Sequence, residues 1–421
     1  MTDPNRPVVQ VRLADAGDLH MTWTWVRGAQ GFGTGYAPGR DVDEAVRALD
    51  AALPGGGAEG MRRAFESGAL VSYEDERHLS RTLAEVLWPP GLTDQIRQVS
   101  ARLGRPLLRL QPSPRVAQVP WELLAVDGAD SDARLIDLVD LVTTAPASLR
   151  RASTTPTGQD SDPDAVILIL DPRVPGFRAD SPLGSVLGRP GSDPALLSLV
   201  QRRLDAGGVV PSVGTPAEAF RRTDLDRDWL GEALRRGARR LLYVGHVSGA
   251  PVEGGQSEDV TLHLCCGPET TGMTEPVRSH RPLSAKDLLL GTLALRADGV
   301  PGARLWPAPP RVALIACESG GDLRFAESFG LAAAMIHNGA RLVTATRWVL
   351  PTSFAFHRLA GLPESVRPLT DAVVAVDAAH EDDDPVRHLG TWQRARLDLW
   401  RAGGRIEHSP LLWAALTCIV R

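Results

Sequence analysis

Two residues of this chain are spaced to do nucleophilic chemistry together. His246 follows the apolar run Arg239 to Val244, and Cys317 follows the apolar run Arg311 to Ala316. A thiolate is intrinsically nucleophilic, and its pKa falls beside a histidinium or a helix N-terminus. An imidazole beside it takes up a proton and returns it to a leaving amine. Asp171 follows a third run, Ala165 to Leu170. If all three runs are parallel strands, these residues gather at one edge, because functional groups collect beyond the carboxyl ends of parallel strands. The sequence Cys317-Glu318-Ser319-Gly320-Gly321 is expected to turn into a helix beginning near Leu323, with the backbone amides of Cys317 and Val247 as oxyanion-hole candidates. The competing reading makes Cys317 a core residue, since free cysteines are among the most buried side chains.

The elements needed to position such a pair are visible as an alternation. Beyond residue 164 the chain reads as strand Ala165 to Leu170, helix Pro194 to Leu204, short strand Gly208 to Val213 and helix Pro216 to Arg236. Strand Arg239 to Val244, helix Ser284 to Leu295, strand Arg311 to Ala316, helix Leu323 to Asn338 and strand Arg341 to Thr346 follow. Buried β-branched runs separated by helices predict an α/β fold with a mostly parallel sheet covered on both faces. Val260 to Cys266 reads as an extra inserted strand, and Pro351 to Val420 as mainly helical.

The N-terminal part has a different rhythm. Pro7 to Leu13 and Leu19 to Val26 alternate in polarity around Ala-Gly-Asp and predict a hairpin. A helix over Asp43 to Leu53, a Gly-rich loop at Gly55 to Gly60, a helix over Leu79 to Leu87 ending at Pro89-Pro90, and a strand at Leu107 to Gln111 follow. Ala152 to Asp164 is polar and aperiodic, which predicts an N-terminal α/β domain over 1–151, a linker over 152–164 and a second domain over 165–421.

Several stretches resemble one known family. Tyr243-Val244-Gly245-His246-Val247-Ser248-Gly249 and Val312-Ala313-Leu314-Ile315-Ala316-Cys317-Glu318-Ser319-Gly320 resemble the histidine and cysteine motifs of the CHAT domain, a bacterial branch of the caspase-like, clan CD cysteine peptidases. Val119 to Leu124 is similar to the family's Pro-Trp-Glu-Leu-Leu element, and Leu283 to Leu288 to the segment before the cysteine strand. Ala340 to Trp348 resembles the strand that follows, and Ser409 to Ala415 the C-terminal Ser-Pro-x-x-Trp-Ala element. The resemblance implies a caspase-like sheet preceded by a smaller domain that can be a degenerate protease half. It implies Cys317 as nucleophile and His246 as general base and acid, in an endopeptidase that needs no cofactor or metal. Such proteins cleave protein or peptide substrates in bacterial defence, signalling or cell-death modules, restrained by an activating or inhibitory protein partner. The family commonly has Gly directly after the histidine, where this chain has Val247. Placement by resemblance makes Asp171, Arg173, Arg178, Ile315, Arg347 and Trp348 the substrate-pocket candidates. Arginines there would favour an acidic P1 side chain, Asp171 a basic one, and Ile315 with Trp348 an apolar one.

Composition bounds the alternatives. The 421 residues carry 46 Lys+Arg against 51 Asp+Glu, a formal net charge of -5, which excludes the basic footprint of a direct nucleic-acid binder. Four cysteines without a CxxC pair speak against a disulfide framework or zinc ribbon. The polar start Met1 to Val11 and the absence of any apolar run of membrane-spanning length predict a cytosolic protein with no membrane partner. His263-Leu264-Cys265-Cys266 offers metal-ligating types but lacks a second ligand pair at zinc spacing, so a core strand is expected. Glu381 to Pro385 reads as a solvated loop, with weak calcium binding as the other option. Two rivals to the peptidase stay open: a catalytically idle CHAT-fold scaffold, and a thiol amidohydrolase of small molecules.

Overall fold

The computed structural model describes residues 5–55, 57–126, 131–146, 149, 164–178, 184–250, 255–317 and 327–421. Among them lie thirteen strands: β1 (Val8–Ala16), β2 (Asp18–Arg27), β3 (Phe32–Ala37), β4 (Leu107–Gln111), β5 (Asp140–Thr144), β6 (Val166–Leu170), β7 (Val209–Val210), β8 (Arg240–Ser248), β9 (Thr261–Leu262), β10 (Leu283–Ser284), β11 (Arg311–Cys317), β12 (Leu342–Thr346) and β13 (Leu416–Val420). They form one sheet whose main path runs β8-β11-β12-β13-β5-β4-β1-β2-β3, with β6, β7, β9 and β10 grouped beyond β8. The α/β expectation holds.

Direction divides the sheet. Strands β6, β8, β11 and β12 are mutually parallel, and β13, β5, β4 and β1 form a second parallel block. The blocks run in opposite senses and meet where β12 pairs antiparallel with β13, from Leu342↔Val420 to Thr346↔Leu416. The carboxyl ends of β6, β8, β11 and β12 therefore share one edge, and those of β4 and β5 lie at the other. The pairing of β13 with β5 also carries the sheet across both sides of the expected linker, which lies outside the described residues except for Asp164.

Alternation along the buried strands builds two cores. Leu168, Leu170, Leu242, Val244, Ala313 and Ile315 belong to one face, while Ile167, Ile169, Leu241, Tyr243, Val312 and Leu314 belong to the other. Helices Pro194–Ala206 and Pro368–Glu381 cover the first face; Arg227–Arg236, Ala285–Leu290 and Glu327–His337 cover the second.

Several elements differ from expectation for identifiable reasons. The helix expected over Pro216 to Arg236 is a short turn at Pro216–Ala219 and a helix at Arg227–Arg236, started by Asp226 accepting from the Trp229 amide at 2.8 Å. Gly57–Ser67 is helical, so only Gly55 remains of the described Gly-rich loop. Pro89-Pro90 ends one helix and opens another, Pro90–Leu103, because proline fits a first helical turn. The inserted strand shrinks to Thr261–Leu262. Leu416–Val420, expected within a helical region, is a central strand, since a short apolar run has no period of its own to decide between the two.

Three of the sequence elements quoted above converge on a single buried ion pair. Arg347, 1% exposed, follows β12, and Glu122, 3% exposed, comes from the Pro-Trp-Glu-Leu-Leu segment. Nη2 of Arg347 donates to Oε1 of Glu122 at 2.9 Å, and Nη1 lies 2.8 Å from Oε2. The same guanidinium donates to the Ala414 carbonyl at 2.9 Å and to Thr417 Oγ1 at 3.0 Å. Beside it, the Trp348 indole donates to the Leu411 carbonyl at 2.9 Å. Removing one partner of such a pair strands a buried charge and costs about 3–5 kcal/mol. Glu122→Ala is accordingly expected to lower stability by that amount in urea unfolding, while the double replacement Glu122→Leu with Arg347→Met recovers most of the loss.

Candidate active site

The strand β8 continues through His246 to Ser248, so the histidine lies within the sheet rather than in the loop after it. Cys317 is likewise the last residue of β11. Their register is direct: β8 and β11 are parallel, with Ala316 paired to Gly245 and Cys317 to His246. Neighbouring strands lie roughly 4.8 Å apart. The backbone thus delivers both residues to the same level of the same edge. The turn expected after Cys317, with Glu318 to Gly321, lies outside the described residues.

The spacing Tyr243-x-Gly245-His246 has a steric reason. The Tyr243 ring folds back over Gly245, where an added Cβ would meet the phenol oxygen at 2.6 Å. That oxygen lies 2.7 Å from the His246 carbonyl and 3.0 Å from the His263 carbonyl, so its one proton is shared between the backbones of β8 and the segment after β9.

A second set of contacts orients the His246 ring. Its Nε2 is 3.2 Å from the Gly184 carbonyl. A carbonyl only accepts, so Nε2 carries the proton and Nδ1 is the basic nitrogen. Gly184 O also accepts from Arg221 Nη1 at 2.9 Å, and the same Nη1 donates to Asp171 Oδ1 at 3.2 Å. Asp171 accepts further from the Ser185 hydroxyl at 2.5 Å and the Val186 amide at 3.1 Å. It is fully buried with φ +54°. Asp171 therefore holds the segment that holds His246, and its carboxylate does not face a cleft.

The remaining pocket candidates separate by exposure. Ile315 is a fully buried member of the sheet core, Arg347 is spent on Glu122, and Trp348 is 4% exposed with its indole bonded. Arg173 and Arg178, on the loop after β6, are exposed. Val247, the oxyanion-hole candidate, sits in a ladder opposite Leu262 with its side chain in the core.

The other thiols are poorly suited to nucleophilic work. Burial pushes Cys265 up to about 11 and Cys418 up to about 12, and raises Cys266 as well. His263 and its neighbours hold no metal-like cluster among the described residues. His263 instead contacts His280 at 3.0 Å and Ser248 at 2.8 Å, a grouping with no signal in sequence spacing. Leu283 to Leu288 is a capping box: Ser284 Oγ accepts from the Asp287 amide at 3.0 Å and Asp287 returns the bond to the Ser284 amide.

The model of the CHAT domain family matches residues 77–421. The chain belongs to the CHAT domain family. No curated protein matches it. The family match covers β4 to β13 and leaves β1, β2 and β3 outside it, and within the described residues no helix is long and apolar enough to cross a membrane.

Two outcomes test this account of the edge. Asp171→Ala removes four hydrogen-bond partnerships, with Ser185, Val186, Leu187 and Arg221, from a buried site and is expected to cost about 3 kcal/mol, whereas Asp171→Asn, which tolerates positive φ and keeps an acceptor, costs less. Equilibrium unfolding of the two variants compares them. Burial also lowers His280 to about 4 and His380 to about 3, below the ordinary value near 6.5. The unfolded chain then binds more protons below pH 6.5, so stability present above that pH is lost as pH falls toward 4. The slope is up to about 1.4 kcal/mol per pH unit for each such histidine, and unfolding midpoints measured from pH 7 to 4.5 should follow it.

Proposed function

We propose that this CHAT protein is a caspase-like cysteine endopeptidase, with Cys317 as nucleophile and His246 as general base and acid. The observation that carries the reading is the register: Cys317 and His246 are paired at the carboxyl ends of adjacent parallel strands. The fixed tautomer of His246 supports it, because Nδ1 is the nitrogen able to accept a thiol proton. The Cys317 sulfur would attack the scissile carbonyl carbon, and the protonated imidazole would then donate to the departing amine, leaving a thioester for water to hydrolyse. The backbone amides of Cys317 and Val247 stay the candidates for holding the oxyanion. Of the pocket candidates, the exposed Arg173 and Arg178 favour an acidic substrate side chain. A reducing cytosol suits the mechanism, since oxidation of the thiolate would abolish it. By family, a role in a partner-controlled bacterial defence, signalling or cell-death module is the natural setting.

Alkylation with an iodoacetamide probe at neutral pH should modify Cys317 first, and Cys317→Ala or His246→Ala should lower peptide-library cleavage at least a thousandfold while leaving the fold intact. Equal alkylation of wild type and Cys317→Ala would instead favour the idle scaffold. Turnover of small amides with every peptide left uncut would favour the amidohydrolase.

A further inference from the structure

A second line of polar side chains runs along the same edge. Ser248, half-buried, lies two residues beyond His246 and so on the same face of β8. Its Oγ is 2.8 Å from Nε2 of His263. Nδ1 of His263 is 3.0 Å from Nε2 of His280, and Nδ1 of His280 is 3.0 Å from the Cys266 carbonyl. The two rings are buried, with centroids 5.1 Å apart.

The direction of every proton in this line is forced from its far end. The Cys266 carbonyl can only accept, so Nδ1 of His280 donates and Nε2 of His280 must accept. Nδ1 of His263 therefore donates, and Nε2 of His263 presents its lone pair to Ser248. The hydroxyl is left to donate. Burial keeps both rings neutral, and the neighbouring His246 adds to the resistance of His263 to protonation. A hydroxyl aimed at the lone pair of a neutral imidazole, itself oriented by a third group, is the arrangement that activates serine nucleophiles.

We propose that Ser248, His263 and His280 form a serine nucleophile site for activated acyl and phosphonyl donors, distinct from Cys317. In the acyl case Ser248 Oγ forms a bond to the ester carbonyl carbon while its proton passes to Nε2 of His263. Collapse of the tetrahedral species breaks the bond to the aryloxide, which departs with its electron pair and takes the proton from His263. Water then attacks the acyl-serine by the same route, releasing a carboxylic acid and restoring the hydroxyl. The third group is an imidazole rather than a carboxylate, so the transient imidazolium is supported only by dipoles. That restricts the site to good leaving groups, aryl esters and fluorophosphonates, and excludes peptide amides.

The test uses the full-length Cys317→Ala protein, so it stands or falls independently of the cysteine peptidase. Incubation with a biotinylated fluorophosphonate at pH 7.5 should give one covalent adduct per chain, mapped by mass spectrometry to Ser248. Ser248→Ala, a small change at a half-buried position, should abolish the adduct. His280→Gln should slow its formation at least tenfold in protein whose circular dichroism is unchanged. If that variant does not fold, His263→Gln takes its place with the same expectation. A folded Cys317→Ala protein without label at Ser248 overturns the proposal. Labelling of folded protein that is insensitive to the histidine substitution also overturns it, because the histidines would then be core filling only.

Discussion

The Arg347–Glu122 ion pair is the constraint on which the rest of the sheet depends. Two parallel blocks of opposite sense have no common direction in which to continue a ladder of one kind, and among the described residues they pair through the antiparallel seam of β12 with β13. The guanidinium sits at the end of that seam, bonded to a carboxylate from the N-terminal block and to a carbonyl and a hydroxyl flanking β13. Desolvating both ions is expensive, and several satisfied bonds offset that cost where one would not. The widely separated tryptophan-bearing motifs are thereby explained together. They surround and dry one charge pair.

The edge that carries His246 and Cys317 rests on a similar logic with different chemistry. His246 is held by a backbone carbonyl, the carbonyl by Arg221, and Arg221 by Asp171. The ring is thus oriented through a backbone carbonyl, with the acid of this line two contacts further back.

Much of this was legible in the sequence, and the missing parts share a cause. Buried β-branched runs announced β6, β8, β11 and β12, and reading the residue at each strand end brought out Asp171, His246 and Cys317. Roles that depend on a distant partner were not legible. Arg347 looked like a specificity residue because its partner Glu122 is 225 positions away. Asp171 likewise looked like a pocket group until Arg221 and Ser185 closed around it. The histidine pair was invisible because His263 and His280 are separated by an irregular segment of no fixed period. β13 escaped because five residues, four of them apolar, carry too little periodicity to tell strand from helix.

The position of β13 has a consequence in time. It is the last of the thirteen strands to be synthesised, yet it lies in the middle of the sheet, between β12 and β5. Until Leu416–Val420 has left the ribosome, each block keeps an open edge and Arg347 lacks the carbonyl and hydroxyl that flank β13. Domains fold as their residues emerge, N-terminal parts first. A nascent chain can therefore assemble each half while the joint between them is still absent, so the edge that carries His246 and Cys317 is braced against the other block only once β13 is in place.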